Sequence, residues 1–423
     1  MQEDLLQYIW QFQYFNTSEL TTTAGEYLQI IKAGAINHHQ GPDFIDARIR
    51  IGKDTWAGNV ELHVEASDWN LHHHSGDTNY SNVILHVVWN DNSTVKNVNG
   101  YPIPTLELKN RVPKFLLEKY KALKNASQFI PCEKLFPETS ELQMFNWKQR
   151  LVAERMLARA GRIFDSLEET SFHWEETFWR LIAGNFGLTV NSHLFQQLAT
   201  NLPIAVLAKH KNQVHQIEAL LFGVAGLLKD KFIDAYPLML QKEFLFYQKK
   251  YQLPTVDGKL SFLRMRPANF PTIRLSQLAM LIHQSEHLFS KIKNASSVKD
   301  VKVMFRVTAN DYWYNHSAFD KEAAFQKKAL GNKMIEGIVI NTIAPALFAY
   351  GVHYNDDLYK TKAINWLEQI DAEKNSITKG FEKLKFQNHN AFDSQAFIQL
   401  KNEYCDKKLC LKCVIGNSIL KKT

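Results

Sequence analysis

The sequence has little that would place it outside the ordinary globular proteins. Four cysteines in 423 residues are too few for a disulfide scaffold. The longest apolar runs, 219–228 and 338–352, are either too short to span a bilayer or interrupted by Asn341 and Pro345. The first residues lack the basic start of a signal peptide. These absences predict a cytoplasmic protein with no membrane partner, and 45% hydrophobic content with 22% charged side chains excludes collagen, coiled coil and extensive disorder.

The net charge of +7 is unevenly distributed. Residues 1–130 hold 11 basic and 14 acidic side chains, whereas residues 131–423 hold 39 and 29. Histidine is concentrated at the other end, because 7 of the 16 histidines precede residue 130 and five of these lie between His63 and His86. An acidic, histidine-rich segment followed by a basic one suits a metal-dependent site that acts on a polyanion. An ordinary solvated surface would give the same charge distribution.

The hydrophobic period changes near residue 115 and predicts an α+β protein. Before that point, short alternating segments bounded by turn residues predict strands at 44–51, 58–66, 83–89 and 105–108. Two amphipathic segments, 3–12 and 24–33, predict helices. After residue 115 a 3.6-residue period predicts helices at 142–164, 174–186, 194–199, 215–228, 238–251, 273–287, 318–330, 333–349, 359–367 and 395–403.

This pattern divides the chain into three parts. We predict an N-terminal α/β domain over residues 1–125 and a linker over 126–140 that contains Pro131 and Pro137. A larger all-helical domain follows over residues 141–423 and ends in a cysteine motif.

The first two predicted strands form a hairpin with acidic residues at one end. Antiparallel pairing about a turn centred near Lys53 places Asp43 opposite about residue 63, close to Glu61 and His63. Two carboxylates can hold Mg²⁺ or Mn²⁺ while a third group positions or deprotonates the attacking water. The alternative is structural, with Asp43 capping a strand and Glu61 exposed on the sheet.

This spacing resembles the PD-(D/E)xK nuclease superfamily. The resemblance implies a restriction-endonuclease-like domain with a mixed sheet, in which Asp43 is the motif aspartate, Glu61 the second acid and His63 the residue in the place of the usual lysine. Glu26, on the predicted helix before the hairpin, is the expected additional acid. A histidine lacks the permanent charge with which lysine stabilises a pentavalent phosphate, so the departure leaves activity open.

Further histidines follow the hairpin. His72 and His74 lie in a polar loop and His86 lies in the middle of an apolar strand. Imidazole and carboxylate groups at this density bind Mn, Fe or Zn readily, so all three are candidate metal ligands. The alternative is a hydrogen-bonded core position for His86 and a solvated loop for the other two.

Several separate motifs extend along nearly the whole chain. They are Gly41-Pro-Asp-Phe, Gly58-x-Val-Glu-x-His63, Asp68-Trp69, His72-x-His74, Tyr80-x-x-Val-Ile-Leu-His86, the segment from Arg264 to Arg274, Tyr312-Trp313 with His316, and Asp393-Ser-Gln395 with the terminal cysteines. Together they resemble the bacterial family known as domain of unknown function 2851. The resemblance carries no established activity and therefore implies no mechanism.

The densest basic and aromatic motif of the helical part contains Arg264, Arg266 and Arg274. Guanidinium groups bind phosphate in a bidentate manner and aromatic rings stack on bases, which predicts contact with DNA or RNA. The structural alternative is that these arginines cap helices or pair with buried acids such as Glu175 and Glu176.

The last cysteines have the spacing Cys405-x₄-Cys410-x₂-Cys413, and Cys132 is the remaining cysteine. Three soft ligands within nine residues, completed by Cys132, predict a zinc ion or an iron–sulfur cluster. Reduced, unligated thiols are the alternative.

Two functions are therefore open. The first is a metal-dependent, nuclease-like phosphodiesterase whose helical part holds DNA or RNA. The second is a non-catalytic scaffold that binds nucleic acid or protein, with a degenerate nuclease site and a structural metal.

Overall fold

The computed structural model describes residues 1–135 and 140–421. The chain divides into two compact units. One consists of Met1–Trp147 together with Leu400–Thr423, and the other of Lys148–Gln399. Pro137 and its neighbours in the predicted linker lie outside the described residues, and the predicted domain boundaries stay a prediction.

The first unit contains a mixed sheet with helices before and after it, which confirms the α+β class. Its elements up to residue 135 are α1 (Glu3–Gln11), β1 (Leu28–Lys32), β2 (Ala35–Ile36), β3 (Phe44–Ile51), β4 (Asp54–Glu65), α2 (Asp68–Leu71), β5 (Val83–Asn90), β6 (Thr105–Glu107) and α3 (Lys114–Asn125).

The sheet has the strand order β1-β3-β4-β5-β6, with β2 paired to β3 beyond the end of β1. β3 runs antiparallel to β1 and β4, whereas β4, β5 and β6 are parallel to one another. The central strands β4 and β5 are buried on both faces along most of their common length, as the apolar runs of parallel strands normally are. Glu61, His63 and His86 are the polar exceptions in this core, and a polar group in such a place requires a partner.

The hairpin register differs from the expectation by about two residues. Ile51 pairs with Asp54 across a two-residue turn, and the register shifts once more between Phe44 and Ala47. Asp46 lies in that shift with a φ of 56°, so an extra residue bulges from β3. Phe44 therefore pairs with Val60, and the residue before Phe44 lies beside Glu61.

All four predicted strands are confirmed, but the helix predicted at 24–33 is wrong. Gly25, with a φ of 85°, makes a turn, and β1 follows. Leu28 and Ile30 pair with Ile51 and Ile49 of β3, so apolar contact across the sheet outweighs the helical pattern of this segment.

The second unit is almost entirely helical, and the helix α4 (Glu141–Glu169) leads into it. The elements that follow are α5 (Trp174–Phe186), α6 (Leu188–Asn201), α7 (Ile204–His210), α8 (Val214–Val224), α9 (Ala235–Tyr251), α10 (Pro271–Gln284), α11 (Leu288–Asn294), α12 (Val298–Met304), β7 (His316–Ala318), β8 (Lys321–Glu322), α13 (Asn332–Ile338), α14 (Ala344–His353), α15 (Asp357–Glu368), α16 (Ser376–Lys383) and α17 (Ala391–Gln399).

One helix prediction in this unit is wrong. Residues 318–330 form the short hairpin of β7 and β8 and an extended segment. Asp320, at a φ of 58°, makes the turn, and its carboxylate accepts the backbone N–H groups of Ile233 and Asp234. These hydrogen bonds to residues far away in the sequence stabilise the turn, although the sequence pattern of this segment favours a helix.

A single helical stretch of the described chain, Asn332–His353, is long and apolar enough to cross a membrane. Most of this stretch is buried inside the protein, which is typical of a core helix. A π-helical segment, Val339–Ile343, separates α13 from α14. Pro345 cannot donate a hydrogen bond to the turn before it, which explains the local widening.

The tail returns to the first unit. After α17 the chain forms a π-helical turn (Leu400–Cys405), a short 3₁₀ turn (Cys410–Lys412) and the helix α18 (Val414–Lys421). α18 packs against α3, so the cysteine motif belongs to the same compact unit as the sheet.

Candidate functional site

The β3–β4 hairpin joins Asp43 and Glu61 through two reciprocal hydrogen bonds. The backbone N–H of Asp43 donates to Glu61 Oε2 at 3.0 Å, and the backbone N–H of Leu62 donates to Asp43 Oδ2 at 3.0 Å. Glu61 is only 5% exposed and Asp43 is half-buried. Each carboxylate is thus held by the other's strand, and the pair is ordered before any ligand arrives.

Helix α1 contributes two polar residues that the sequence analysis missed. Gln7 Nε2 donates to Asp43 Oδ1 at 2.8 Å, and Glu3, one turn earlier, acts on both carboxylates through its charge. Their spacing of four residues on an amphipathic helix was the available signal. Glu26, the expected additional acid, lies in an exposed segment before β1 and not on a helix, and the acid of the preceding helix whose charge acts on the pair is Glu3.

The acids lie where negative charge is costly. Burial raises the pKa of the Glu61 carboxyl, and the neighbouring charge of Asp43 raises it further. Burial also raises the pKa of Asp43, against a hydrogen bond from Leu62, and the charge of Glu3 adds to the increase. The nearby charges that act on this pair are themselves acidic, and a bound cation would reverse the balance.

Two histidines lie beside the Oε1 oxygen of Glu61, and a third histidine contacts one of them. Glu61 Oε1 lies 3.4 Å from His74 Nε2 and 3.7 Å from His63 Nε2. His63 Nε2 is also 3.2 Å from His72 Nδ1. One ligand atom from each of these three histidines lies within 4.8 Å of the other two. His72 is exposed while the others are buried, so the group is open to solvent on one side.

His86 lies behind this group. Glu61 pairs with His86 in the register of β4 and β5, and His86 Nε2 lies 2.8 Å from His63 Nδ1. His86 is fully buried and does not belong to the group of three. Its place suits a partner that fixes which ring nitrogen of His63 carries the proton, rather than a direct ligand.

Burial keeps these imidazoles neutral. It lowers the pKa of His63 to about 2, with further lowering from His86, and the pKa of His86 to about 3. Burial and the charge of His72 lower the pKa of His74 to about 4. A neutral imidazole is the form that binds metal, so these side chains can act as ligands at physiological pH without losing a proton.

The loop after β4 is shaped around Trp69. Its indole N–H donates to Ser75 Oγ at 3.0 Å, and its ring lies edge-on to His63, His74 and His86. Tyr80 then stacks on His74 with ring centroids 3.8 Å apart. These packed rings hold His63 and His74 in position beside Glu61.

The donor set fits a metal ion. His74 Nε2 and His86 Nδ1 are buried nitrogen atoms without a hydrogen-bond partner, and such an atom is costly unless something occupies its lone pair or accepts its proton. His74 Nε2 faces Glu61 Oε1, so a metal ion beside Glu61 would also be beside this free nitrogen atom. Glu61 and the three imidazoles offer a mixed oxygen and nitrogen set, which suits a first-row transition ion better than an ion that prefers oxygen ligands alone.

The family comparison covers this site. The family model described as protein of unknown function (DUF2851) matches residues 3–376. The chain belongs to this family. Neither the curated proteins nor the solved structures contain a match. The range matched to DUF2851 includes α1, the hairpin and the histidine loop, and it ends before Asp393 and the cysteine tail.

In this DUF2851 chain the three predicted nucleic-acid-binding arginines are in different environments. Arg264 and Arg266 are exposed. Arg274 is buried, and its guanidinium donates to Gln277 Oε1 at 2.8 Å and to Asn269 Oδ1 at 2.6 Å. Arg274 therefore supports the fold of the second unit and is not on a surface that phosphate could reach.

The suggested acidic partners of these arginines have other roles. Glu175 accepts the backbone N–H groups of Phe289 and Ser290 at the start of α11. Glu176 accepts the backbone N–H of Ile204 at the start of α7. Arg274 thus has the structural role that was the alternative for this motif, but its partners are the side-chain amides of Asn269 and Gln277 and not acids.

The DUF2851 chain also gathers its four cysteines. Cys132, Cys410 and Cys413 are buried, Cys405 is partly exposed, and none is in a disulfide. Cys410 and Cys413 lie near enough to Cys132, and the other three cysteines near enough to Cys405, for ionisation of one thiol to raise the pKa of the next. The terminal motif and Cys132 are therefore close in space although most of the chain separates them in sequence.

Proposed function

We propose that the first unit is a restriction-endonuclease-like, metal-dependent phosphodiesterase that cleaves DNA or RNA. The observation that carries the proposal is the pair of carboxylates on the β3–β4 hairpin, half-buried Asp43 beside buried Glu61, with His63 two residues after Glu61 on the same strand. The mixed sheet and the acid on the preceding helix agree with the resemblance to PD-(D/E)xK nucleases.

Asp43 and Glu61 would hold the metal, and the histidines beside Glu61 would complete its coordination: His63 and His74 directly, and His72 through its place next to His63. Both Mg²⁺ and Mn²⁺ accept carboxylates, and the imidazole nitrogens favour Mn²⁺ because Mg²⁺ prefers oxygen ligands. When bound, such an ion supplies Lewis-acid activation of water and of the phosphoryl group.

His63 has a role of its own beside the metal. His63 is neutral because burial lowers its pKa to about 2, so it cannot replace the positive charge of a lysine. It can instead bind the metal or orient a water molecule through Nε2 while Nδ1 contacts His86. Charge on the pentavalent phosphate would be balanced by the cation and not by this side chain.

The nucleic-acid strand would contact the basic part of the chain. Residues 131–423 hold ten more basic than acidic side chains, and Arg264 and Arg266 are exposed among aromatic residues. Phosphate contacts of this kind are independent of sequence, so the proposed substrate class is a strand of DNA or RNA without a stated sequence.

Metal titration tests the proposal directly. Isothermal titration with Mn²⁺ should show binding to the full chain, and Asp43→Asn and Glu61→Gln should each lower the affinity at least about tenfold, or about 1.4 kcal/mol. Asp46→Asn and Glu26→Gln are the matched controls, because both residues are exposed, and should bind like the wild type. Unchanged affinity in both site variants would contradict the proposal.

Cleavage is measured separately with Mn²⁺ on single- and double-stranded substrates. Asp43→Asn and Glu61→Gln should lose cleavage while the controls retain it. The second candidate, a binding scaffold with a degenerate site, is favoured by the neutral histidine in the place of lysine. Metal and nucleic-acid binding without cleavage by the wild type would support the scaffold over the phosphodiesterase.

A further inference from the structure

The cysteine tail is docked on the first unit by contacts that do not involve the thiols. Lys119 Nζ donates to the carbonyl of Ile419 at 3.3 Å, and Lys408 Nζ donates to the carbonyl of Lys124 at 2.6 Å. Lys401 lies 5.2 Å from the ring centre of Phe129. These contacts connect the tail to α3 and to the segment just before Cys132.

The backbone of Gly416 packs unusually tightly against the turn that carries Cys410 and Cys413. A side chain at Gly416 would meet the carbonyl oxygen of Cys410 at 2.1 Å, so only glycine allows this approach. Helix α18 begins directly after Cys413, so its first backbone N–H groups lie beside that sulfur. Amide donors directed at a sulfur stabilise its thiolate form.

Positive charge surrounds the same sulfurs. Lys124 and Lys408 act on Cys410, and Lys401 acts on Cys405. Three buried thiols and one partly exposed thiol, with lysine charge nearby that favours their thiolate forms, therefore suit a site with a cation at its centre.

The spacing of the cysteines distinguishes the two metal classes. Cys-x₄-Cys-x₂-Cys is the spacing of three of the four ligands in plant-type iron–sulfur proteins. The fourth cysteine of those proteins follows the other three, whereas Cys132 precedes them in this chain. The spacing of Cys405, Cys410 and Cys413 therefore favours a cluster over a single zinc ion.

We propose that Cys132, Cys405, Cys410 and Cys413 bind an iron–sulfur cluster that closes the chain end on the first unit. This site is separate from Asp43 and Glu61 and does not depend on the proposed phosphodiesterase. Because its ligands are separated by most of the chain, the cluster would tie the tail to residues just after α3 and couple its own loss to loosening of the tail.

The test is metal and sulfide analysis of the full chain purified without oxygen. We expect iron and acid-labile sulfide in equal amounts, a brown colour, and an electron paramagnetic resonance signal in the oxidised or the reduced protein. Cys405→Ser, Cys410→Ser and Cys413→Ser should each lose most of the iron. Lys412→Ala, an exposed tail residue, should retain it.

Several outcomes would overturn the proposal. About one zinc per chain with no sulfide would replace the cluster by a single ion. A metal-free protein whose four thiols all titrate, and whose thermal stability is unchanged by anaerobic iron and sulfide, would exclude a metal centre. Iron retained in Cys132→Ser would contradict the role of Cys132. Mn²⁺ titration of the cysteine variants separates this result from the N-terminal site, because the Mn²⁺ affinity should stay unchanged.

Discussion

At the scale of single residues, the site depends on two neighbouring acids, half-buried Asp43 and buried Glu61. Asp43 and Glu61 each use a backbone amide of the opposite strand, which orders them but leaves their charges unbalanced. Acids arranged in this way are typical of functional sites, since stability alone would favour a neutral pair.

The raised pKa values predict that metal binding depends on pH. Bound protons must leave before the cation enters, so Mn²⁺ affinity should rise between about pH 5 and about pH 8, with net proton release. Titration in buffers of different ionisation enthalpy measures this release. Affinity that is independent of pH would contradict the assigned carboxylates.

The same shifts predict the stability of the metal-free protein. A group whose pKa is higher in the folded state stabilises the fold at low pH, and this contribution is lost as the pH rises through the folded value. Burial and acidic neighbours raise both carboxyl pKa values. Glu61→Gln should therefore gain stability relative to the metal-free wild type at about pH 8 and less at about pH 5. Thermal unfolding at both pH values, with Glu26→Gln as the control, provides the comparison.

His86 should affect metal binding without touching the metal. His86→Leu keeps the volume but removes the partner of His63 Nδ1 at 2.8 Å. We expect a loss of Mn²⁺ affinity of about 10- to 100-fold and a destabilisation of about 1–3 kcal/mol. Rescue of the affinity by His86→Gln, whose amide oxygen can accept from His63, would identify a positioning role that mere packing does not explain.

At the scale of elements, the close approach of β4 and β5 places the histidines. A side chain at Gly58 would meet Ile84 Cγ2 at 2.5 Å and the carbonyl oxygen of Asn82 at 2.6 Å. Glycine is therefore needed where β4 first meets β5, and the register of the two strands sets Glu61 beside His86.

Gly58→Ala should destabilise the protein by about 1–3 kcal/mol, because the added methyl group overpacks the strand pair. Gly76→Ala is the control, since no atom lies within 4 Å of the added carbon, and its effect should stay within about 0.5 kcal/mol. Urea unfolding of both variants checks the difference. Equal midpoints would show that β4 and β5 can shift apart at no cost.

At the scale of the whole molecule, the charge distribution predicts how nucleic acid binds. Each phosphate neutralised by a basic side chain releases condensed counterions, so affinity should fall steeply with salt. Replacing exposed Arg264 and Arg266 with alanine should weaken binding and reduce the salt slope by about one for each arginine that neutralises a phosphate. Fluorescence anisotropy at several salt concentrations measures both quantities.

Arg274 separates this prediction from a structural effect. Arg274→Ala removes buried hydrogen bonds to Asn269 and Gln277 and should lower stability by about 1–3 kcal/mol. Its salt slope should match that of the wild type wherever the variant is folded. A normal slope for the Arg264 and Arg266 variant together with a reduced slope for Arg274→Ala would contradict the assignment.

The amino-acid sequence by itself determined the elements whose signal is local. Alternating apolar residues bounded by turn residues predicted β3, β4, β5 and β6, and the spacing of Glu61 and His63 placed both on one face of a strand. Composition also set the basic character of residues 131–423. These properties depend on neighbouring residues, so they can be predicted without knowing the fold.

Tertiary structure alone decided which distant groups meet. The bulge at Asp46 set the final register of Asp43 and Glu61, and packing of α1 against β4 brought in Glu3 and Gln7. Pairing with β3 converted 28–32 from a predicted helix to a strand. Such contacts depend on the free energy of burial across the whole unit, which no local pattern of residues records.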